Sequence, residues 1–215
     1  MPYRAIMRMD PRPFDDVADR YDKLYSDDES LEEDRQFIAT WGHWLAVEPI
    51  LDVGCGTGWT VDTTQPSPDG YLGFDLSAEM INIAARKHPW HAFRQADMTI
   101  AHHWPTTPHG WGCVASLWCS ASYLPAHTFA ALAAARLAPG GGVLAMPHAP
   151  GALLSDGVRN GEYLPESCYA PHTGWQPWNA TAAKKAFQRH FTNVTVEQFG
   201  LGTPFLVITG RKPNL

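Results

Sequence analysis

The sequence is poor in charge, poor in cysteine and without a long apolar run, and each shortage removes a class of protein. Charged residues make up 18% of the chain and hydrophobic residues 45%, the balance of a folded core rather than of a disordered chain. No segment approaches the roughly 20 consecutive apolar residues that cross a bilayer. Residues 1–10 carry Arg4 and Arg8 but no apolar run after them, so no secretion signal is expected. Cys55, Cys113, Cys119 and Cys168 form no CxxC pair, so neither a disulfide framework nor a zinc site is expected, and a reducing cytoplasm is the expected compartment. His102, His103 and His109 sit in a polar, proline-rich stretch with no Cys or Asp at a fixed spacing, and no metal is assigned to them. The net charge is −6, and the nearest approach to a basic cluster is Lys184, Lys185 and Arg189. A broad nucleic-acid-binding face needs clustered Lys and Arg, so such a partner is disfavoured.

What is there is a chain of 215 residues, the size of one domain. Residues 1–48 read as a helical cap. Phe14, Val17, Ala18, Tyr21, Leu24 and Tyr25 recur at intervals of three and four, predicting a helix. Ser30 with Glu33 then fits a capping box before the apolar set Phe37, Ile38, Trp41, Trp44 and Leu45. Residues 49–146 alternate strand and helix. Ile50–Val53, Tyr71–Asp75, His91–Ala96, Cys113–Leu117 and Val143–Met146 read as strands, and Ser77 caps a helix running to Lys87. Between the first two strands the helix must be brief, near Thr60–Gln65. Pro139-Gly140-Gly141-Gly142 reads as a turn ahead of the fifth strand. Residues 147–180 show no period and read as an irregular insertion. Residues 181–215 predict a helix at Thr181–His190 and a closing strand pair, Val194–Phe199 with Phe205–Thr209. This alternation implies a doubly wound α/β fold, a mostly parallel sheet with helices on both faces.

The chemistry concentrates at Asp52-Val53-Gly54-Cys55-Gly56-Thr57-Gly58, directly after the first strand. Glycines there let backbone approach a ligand and turn sharply into a helix. Dinucleotides and S-adenosylmethionine (SAM) both use such loops. The dinucleotide fingerprint G-x-G-x-x-G requires a third glycine where this chain has Trp59. An indole at that position opposes the close helix packing the third glycine permits.

Ile50 to Gly58 resembles motif I of the class I SAM-dependent methyltransferases. Gly73-Phe74-Asp75-Leu76-Ser77 resembles the family's second strand end, Gln95-Ala96-Asp97-Met98 its adenine corner, and Leu137-Ala138-Pro139-Gly140-Gly141 the turn before its fifth strand. Phe14-Asp15-x-x-Ala18-x-x-Tyr21-Asp22 resembles an N-terminal cap found in many members. The resemblance covers residues 49–146 well. It implies a Rossmann-like seven-stranded mixed sheet with a final antiparallel strand, SAM as cofactor and S-adenosylhomocysteine as product. It also implies that Tyr21, Asp52, Gly54, Cys55, Gly56, Thr57, Gly58, Asp75, Leu76, Asp97, Met98 and Trp118 lie on the cofactor. In that arrangement Asp52 meets the methionine end, Asp75 accepts the ribose hydroxyls, Asp97 accepts from the adenine amine and Met98 packs on the ring.

The acceptor side is less legible. Ala115 to Leu124 departs from the Asn/Asp-Pro-Pro-Tyr/Phe motif of base amino methylation, and Cys119 lacks the preceding proline of a cytosine C5 nucleophile. Cys119 reads instead as a small buried residue. The expected acceptor is a small molecule with an oxygen or nitrogen nucleophile. The alternatives are a nucleic acid or nucleotide acceptor, and a SAM-binding protein that does no chemistry. Methyl transfer from an activated donor is chiefly alignment, with at most one proton removed. His148, after the fifth strand, and His172, in the insertion, are the candidate bases. Tyr21, Tyr25, Tyr163, Tyr169, Trp175 and Trp178 are expected to form an aromatic lid.

Overall fold

The structure, a computed structural model, describes residues 12–150, 175–200 and 205–214, together with the backbone of 158–159 and 162–163. Its strands are β1 (Ile50–Val53), β2 (Tyr71–Asp75), β3 (Ala92–Gln95), β4 (Trp111–Ser116) and β5 (Leu137–Ala145), then a short hairpin of β6 (Val158–Arg159) with β7 (Glu162–Tyr163), then β8 (Thr192–Phe199) and β9 (Phe205–Arg211). Its helices are α1 (Arg12–Asp15), α2 (Tyr21–Leu24), α3 (Asp28–Trp41), α4 (Trp59–Thr64), α5 (Ala78–Lys87), α6 (Ala126–Arg136) and α7 (Ala180–Phe187).

Seven strands form one sheet in the order β3-β2-β1-β4-β5-β9-β8. β1 to β5 pair in parallel, and β9, the last strand of the chain, runs antiparallel to both neighbours. All four residues of β1 are buried because strands flank it on both edges and helices cover both faces. The pleat sends Leu51 and Val53 to a core with Phe129 and Ala133 of α6 and Phe187 of α7. Ile50 points the other way, to a core with Phe37 and Trp41 of α3 and with Val61. Chain order reverses between β1 and β4. Beyond β1 the chain steps outward through β2 and β3, whereas from β4 it steps through β5. The loops after β1 and β4 therefore part at the carboxyl ends of their strands and leave a crevice, the usual ligand position in such sheets.

Three sequence expectations need correction. The N-terminal segment is not one helix but α1, a 3-10 turn at Ala18–Arg20 and α2, which together bury Val17, Ala18 and Leu24 against Met80 of α5. α3 begins ahead of the expected capping box, because Asp27 caps it by accepting from Ser30 N at 2.7 Å; Ser30 and Glu33 are buried instead. Pro139 to Gly142 is no turn but part of β5. Its glycines answer crowding: a Cβ on Gly141 would meet Trp111 O at 2.9 Å, and one on Gly142 would meet Trp44 Cε3 at 2.7 Å. The remaining elements lie within a few residues of expectation, including the brief α4 and the Ser77 cap, whose Oγ accepts from Met80 N at 3.1 Å. Among the described residues no helix is long and apolar enough to cross a membrane.

Candidate active site

β1 ends in a loop stitched to the carboxyl ends of its neighbours. Gly54 N and Cys55 N both donate to Phe74 O of β2, at 2.8 and 3.1 Å. On the other side Ser116 Oγ donates to Val53 O at 2.8 Å and Ser120 Oγ to Gly54 O at 2.9 Å. Ser120 packs so close that a Cβ on Gly54, whose φ is +75°, would meet Ser120 Cβ at 2.4 Å. Gly56 also has a positive φ, +53°, but a Cβ there meets nothing within 4 Å. The loop backbone is thus bare toward the crevice.

Asp75, at the end of β2, is fixed by this loop. Its Oδ2 accepts from Gly56 N at 3.0 Å and its Oδ1 from Ser77 N at 2.9 Å. Burial pushes its pKa upward, and those N–H donors pull against the rise. Asp52, in β1, is 2% exposed and accepts from Tyr71 Oη at 2.9 Å. Burial raises its pKa to about 6 against hydrogen bonds from Thr60 and Tyr71, with the Asp75 charge adding to the rise.

The cap closes over this end. Thr57 Oγ1 donates to Asp22 Oδ1 at 2.5 Å, and Ser77 Oγ donates to Asp15 Oδ1 at 2.5 Å. Lys87 Nζ reaches both Asp22, at 2.9 Å, and Asp62, at 2.8 Å. Tyr21 packs on Tyr25 with ring centroids 5.1 Å apart, and Phe14 on Tyr123 at 6.0 Å. Trp118 and Cys119, just past β4, both take left-handed backbone angles, φ +46° and +75°. Trp118 packs on Phe37, Trp59 and Phe205, and Trp59 Nε1 donates to Asp34 Oδ2 at 2.9 Å.

These groups enclose a cavity of about 450 Å³ that continues from Asp75 and Met98 past the glycine loop to Tyr21, Tyr123, His148 and Trp175. Of the residues singled out in the sequence, Tyr21, Asp52, Gly54, Cys55, Gly56, Thr57, Asp75, Leu76, Met98, Trp118 and His148 line it. Two do not. Gly58 faces His88, the residue after α5, which a Cβ would meet at 2.8 Å. Asp97 turns its carboxylate back on its own chain, accepting from Thr99 N at 2.8 Å and Thr99 Oγ1 at 2.6 Å. His172, Tyr169 and the side chain of Tyr163 lie outside the described residues. Tyr25 and Trp175 line the cavity as the lid reading requires, but Trp178 is core: it packs on Phe129 and Phe187 and donates from Nε1 to Leu124 O at 2.8 Å.

His148 stands in the wall with both ring nitrogens engaged. Trp175 Nε1 donates to Nδ1 at 3.0 Å, and Nε2 lies 3.1 Å from Cys119 Sγ. Burial lowers its pKa to about 4. The ring is therefore neutral near pH 7, and the nitrogen a base would use is already occupied. Sequence reasoning missed Ser77 and Ser120 as loop anchors and read Cys119 as a buried filler. Asp22 was visible in the cap pattern, but its partner Thr57 was not.

Residues 50–141 match a family described as a methyltransferase domain. No curated protein sequence matches the chain. Among solved structures, DesVI of Streptomyces venezuelae superposes with a TM-score of 0.63 at 20% identity, over 92% of this chain and 97% of that one. SAM-bound CalS10 of Micromonospora echinaspora, an amino pentose methyltransferase involved in calicheamicin biosynthesis, gives 0.64 at 17%, over 91% and 97%. A SAM-dependent methyltransferase of Archaeoglobus fulgidus gives 0.65 at 13%, over 89% and 98%. At these identities the superpositions speak for the fold. With the family match, they give residues 50–141 as a methyltransferase domain set in the fold shared by these SAM-dependent methyltransferases.

Proposed function

We propose that this enzyme methylates an oxygen or nitrogen of a small-molecule acceptor, with SAM along the glycine loop and the acceptor at the end of the cavity lined by Tyr21, Tyr123, His148 and Trp175. The carrying observation is the continuity of one cavity across both groups of residues. Its charge supports the choice of acceptor. Asp22, Glu33, Asp34, Asp52, Asp62 and Asp75 line it, and Lys87, the one lysine among the described lining residues, is already paired with Asp22 and Asp62. Among the described residues a phosphate-bearing acceptor meets no uncommitted cation there, which argues against a nucleotide or nucleic acid. The similarity to an amino pentose methyltransferase adds weight to an amine.

The residues present suit the cofactor. Asp75 keeps acceptor capacity beyond its two backbone bonds for a ribose diol, and Asp52 offers a negative charge to an ammonium group. The bare backbone at Gly56 leaves room for close approach, and Leu76 and Met98 supply apolar contact for a flat ring. Bound SAM supplies a methyl group already activated as a sulfonium. The chain's own part is to orient, to exclude water beneath the cap, and to hold the acceptor in line.

Titration calorimetry with S-adenosylhomocysteine and NADH tests the cofactor; tight NADH binding without S-adenosylhomocysteine binding rejects the reading. A methyl-label transfer panel of amino sugars, small amines, phenols, DNA and RNA tests the acceptor. Label on the small molecules is the expected outcome, and label confined to nucleic acid overturns it.

A further inference from the structure

Cys119 and His148 are drawn together from separate strand ends, and neither is among the residues proposed above to hold the cofactor. An indole N–H only donates, so His148 Nδ1, which takes the Trp175 N–H at 3.0 Å, carries no proton. In the neutral ring the proton then sits on Nε2, 3.1 Å from Cys119 Sγ, and the sulfur is its acceptor. The ring is braced for this task. Its backbone N donates to Ser122 Oγ at 2.8 Å, and its plane packs on Phe205 at 5.5 Å between centroids. Cys119 is half-buried, lines the cavity, and is pinned through its N to Met146 O at 2.9 Å.

We propose that Cys119 is an electrophile-reactive thiol site at the acceptor end of the cavity, oriented and activated by the Nε2–H of a neutral His148. A hydrogen bond to a charged acceptor is stronger than one to a neutral acceptor, so this donor favours thiolate over thiol. The other two described cysteines offer no competition. Cys55 and Cys113 are buried, and burial drives both thiols up, Cys113 to about 12. The ligands in question are soft carbon electrophiles such as haloacetamides. With iodoacetamide the Cys119 sulfur forms a bond to the methylene carbon and iodide leaves with the electron pair. The thiol proton goes to solvent, since His148 has no vacant nitrogen to take it.

The test is a time course with iodoacetamide at neutral pH, read by peptide mass mapping, which separates Cys119 from Cys168. Cys119 should be carbamidomethylated at least about tenfold faster than Cys55 and Cys113, as expected for a half-buried thiol in a cavity wall against fully buried ones. His148→Phe keeps the ring packing but removes the donor. The variant should slow by about threefold, the loss of one hydrogen bond to the reacting sulfur. His148→Gln keeps an N–H within reach and should restore the rate. S-adenosylhomocysteine binding and the silence of Cys55 report that each variant is folded. Cys119 reacting no faster than the buried pair overturns the proposal, as does an unchanged rate in His148→Phe. The readout is alkylation of the protein itself, so it stands whichever acceptor the enzyme uses.

Discussion

Thr57 of the glycine loop donates its hydroxyl to Asp22 of α2 at 2.5 Å, tying the cap to the part of the core that lines the cavity. The neighbour of Asp22 is Tyr21, a lining residue, so this bond helps set where the cap stands over the cavity. Asp22 also shares Lys87 with Asp62. That ion pair is largely exposed and adds little to global stability. Asp22→Ala should therefore weaken S-adenosylhomocysteine binding by about three- to tenfold, the loss of one or two hydrogen bonds, while the melting temperature hardly moves. Unchanged affinity in calorimetry means the cap is held by its apolar contacts alone.

Asp75 makes a sharper case, because both of its carboxylate oxygens are tied to backbone, at Gly56 and at Ser77. Asp75→Ala removes the acceptor proposed for the ribose hydroxyls and also frees Gly56 N and Ser77 N. Affinity for S-adenosylhomocysteine should fall by about tenfold or more, as expected for charge-assisted bonds. Asp75→Asn separates the two effects. It keeps one acceptor oxygen for the backbone and loses the charge, so it should fall between wild type and Ala.

How far the sequence reaches is clear from these residues. β1, its glycine loop and Asp75 were legible because a strand buried on both faces must be an apolar run, and because close backbone approach requires glycine. The Ser77 cap was legible for a similar local reason. Asp97 was assigned to the adenine by the family pattern, which carries no sign of the other use the structure gives its carboxylate, a turn closed on Thr99 two residues later. Pro139 to Gly142 misled because turn residues are read as local signals, whereas here the glycines relieve crowding from β4 and Trp44, which only pairing reveals. The Cys119–His148–Trp175 chain had no local signal. Its members lie 29 and 27 residues apart, and strand order alone brings them together.

Asp52 is predicted to trade stability for binding. With its pKa raised to about 6 by burial, the charged form is costly in the empty protein. Asp52→Asn removes that charge at nearly constant shape. The empty protein should gain about 1–3 kcal/mol, since two pKa units correspond to roughly 3 kcal/mol and the new amide must still satisfy Tyr71 and Thr60. Binding should move the other way. If Asp52 faces the ammonium of the cofactor, the variant's affinity falls about tenfold at pH 7.5. In the wild type affinity should decline as pH drops through about 6, where the carboxylate gains its proton. An affinity flat from pH 5 to 7.5 would remove Asp52 from the ammonium end.

Asp52 and His148 also make opposite demands on folding as pH changes. His148 has a folded pKa of about 4 against its ordinary 6.5. Its contribution is fully present above 6.5 and is lost as pH falls toward 4, because the unfolded ring binds a proton that the buried one refuses. Asp52 has a folded pKa of about 6 against its ordinary 3.8. Its contribution is fully present below 3.8 and is lost as pH rises through 6. Between pH 4 and 6 the two slopes oppose and largely cancel. Each single variant should therefore uncover the other residue. Relative to wild type, Asp52→Asn should gain stability as pH rises from 4 to 6, by about 2–3 kcal/mol for a shift of two units. His148→Phe should lose a similar amount over the same window. Urea unfolding at pH 4, 5, 6 and 7 measures both slopes. Slopes of the same sign in the two variants would show that at least one of these side chains titrates like an exposed group, which its burial in the cavity wall does not allow.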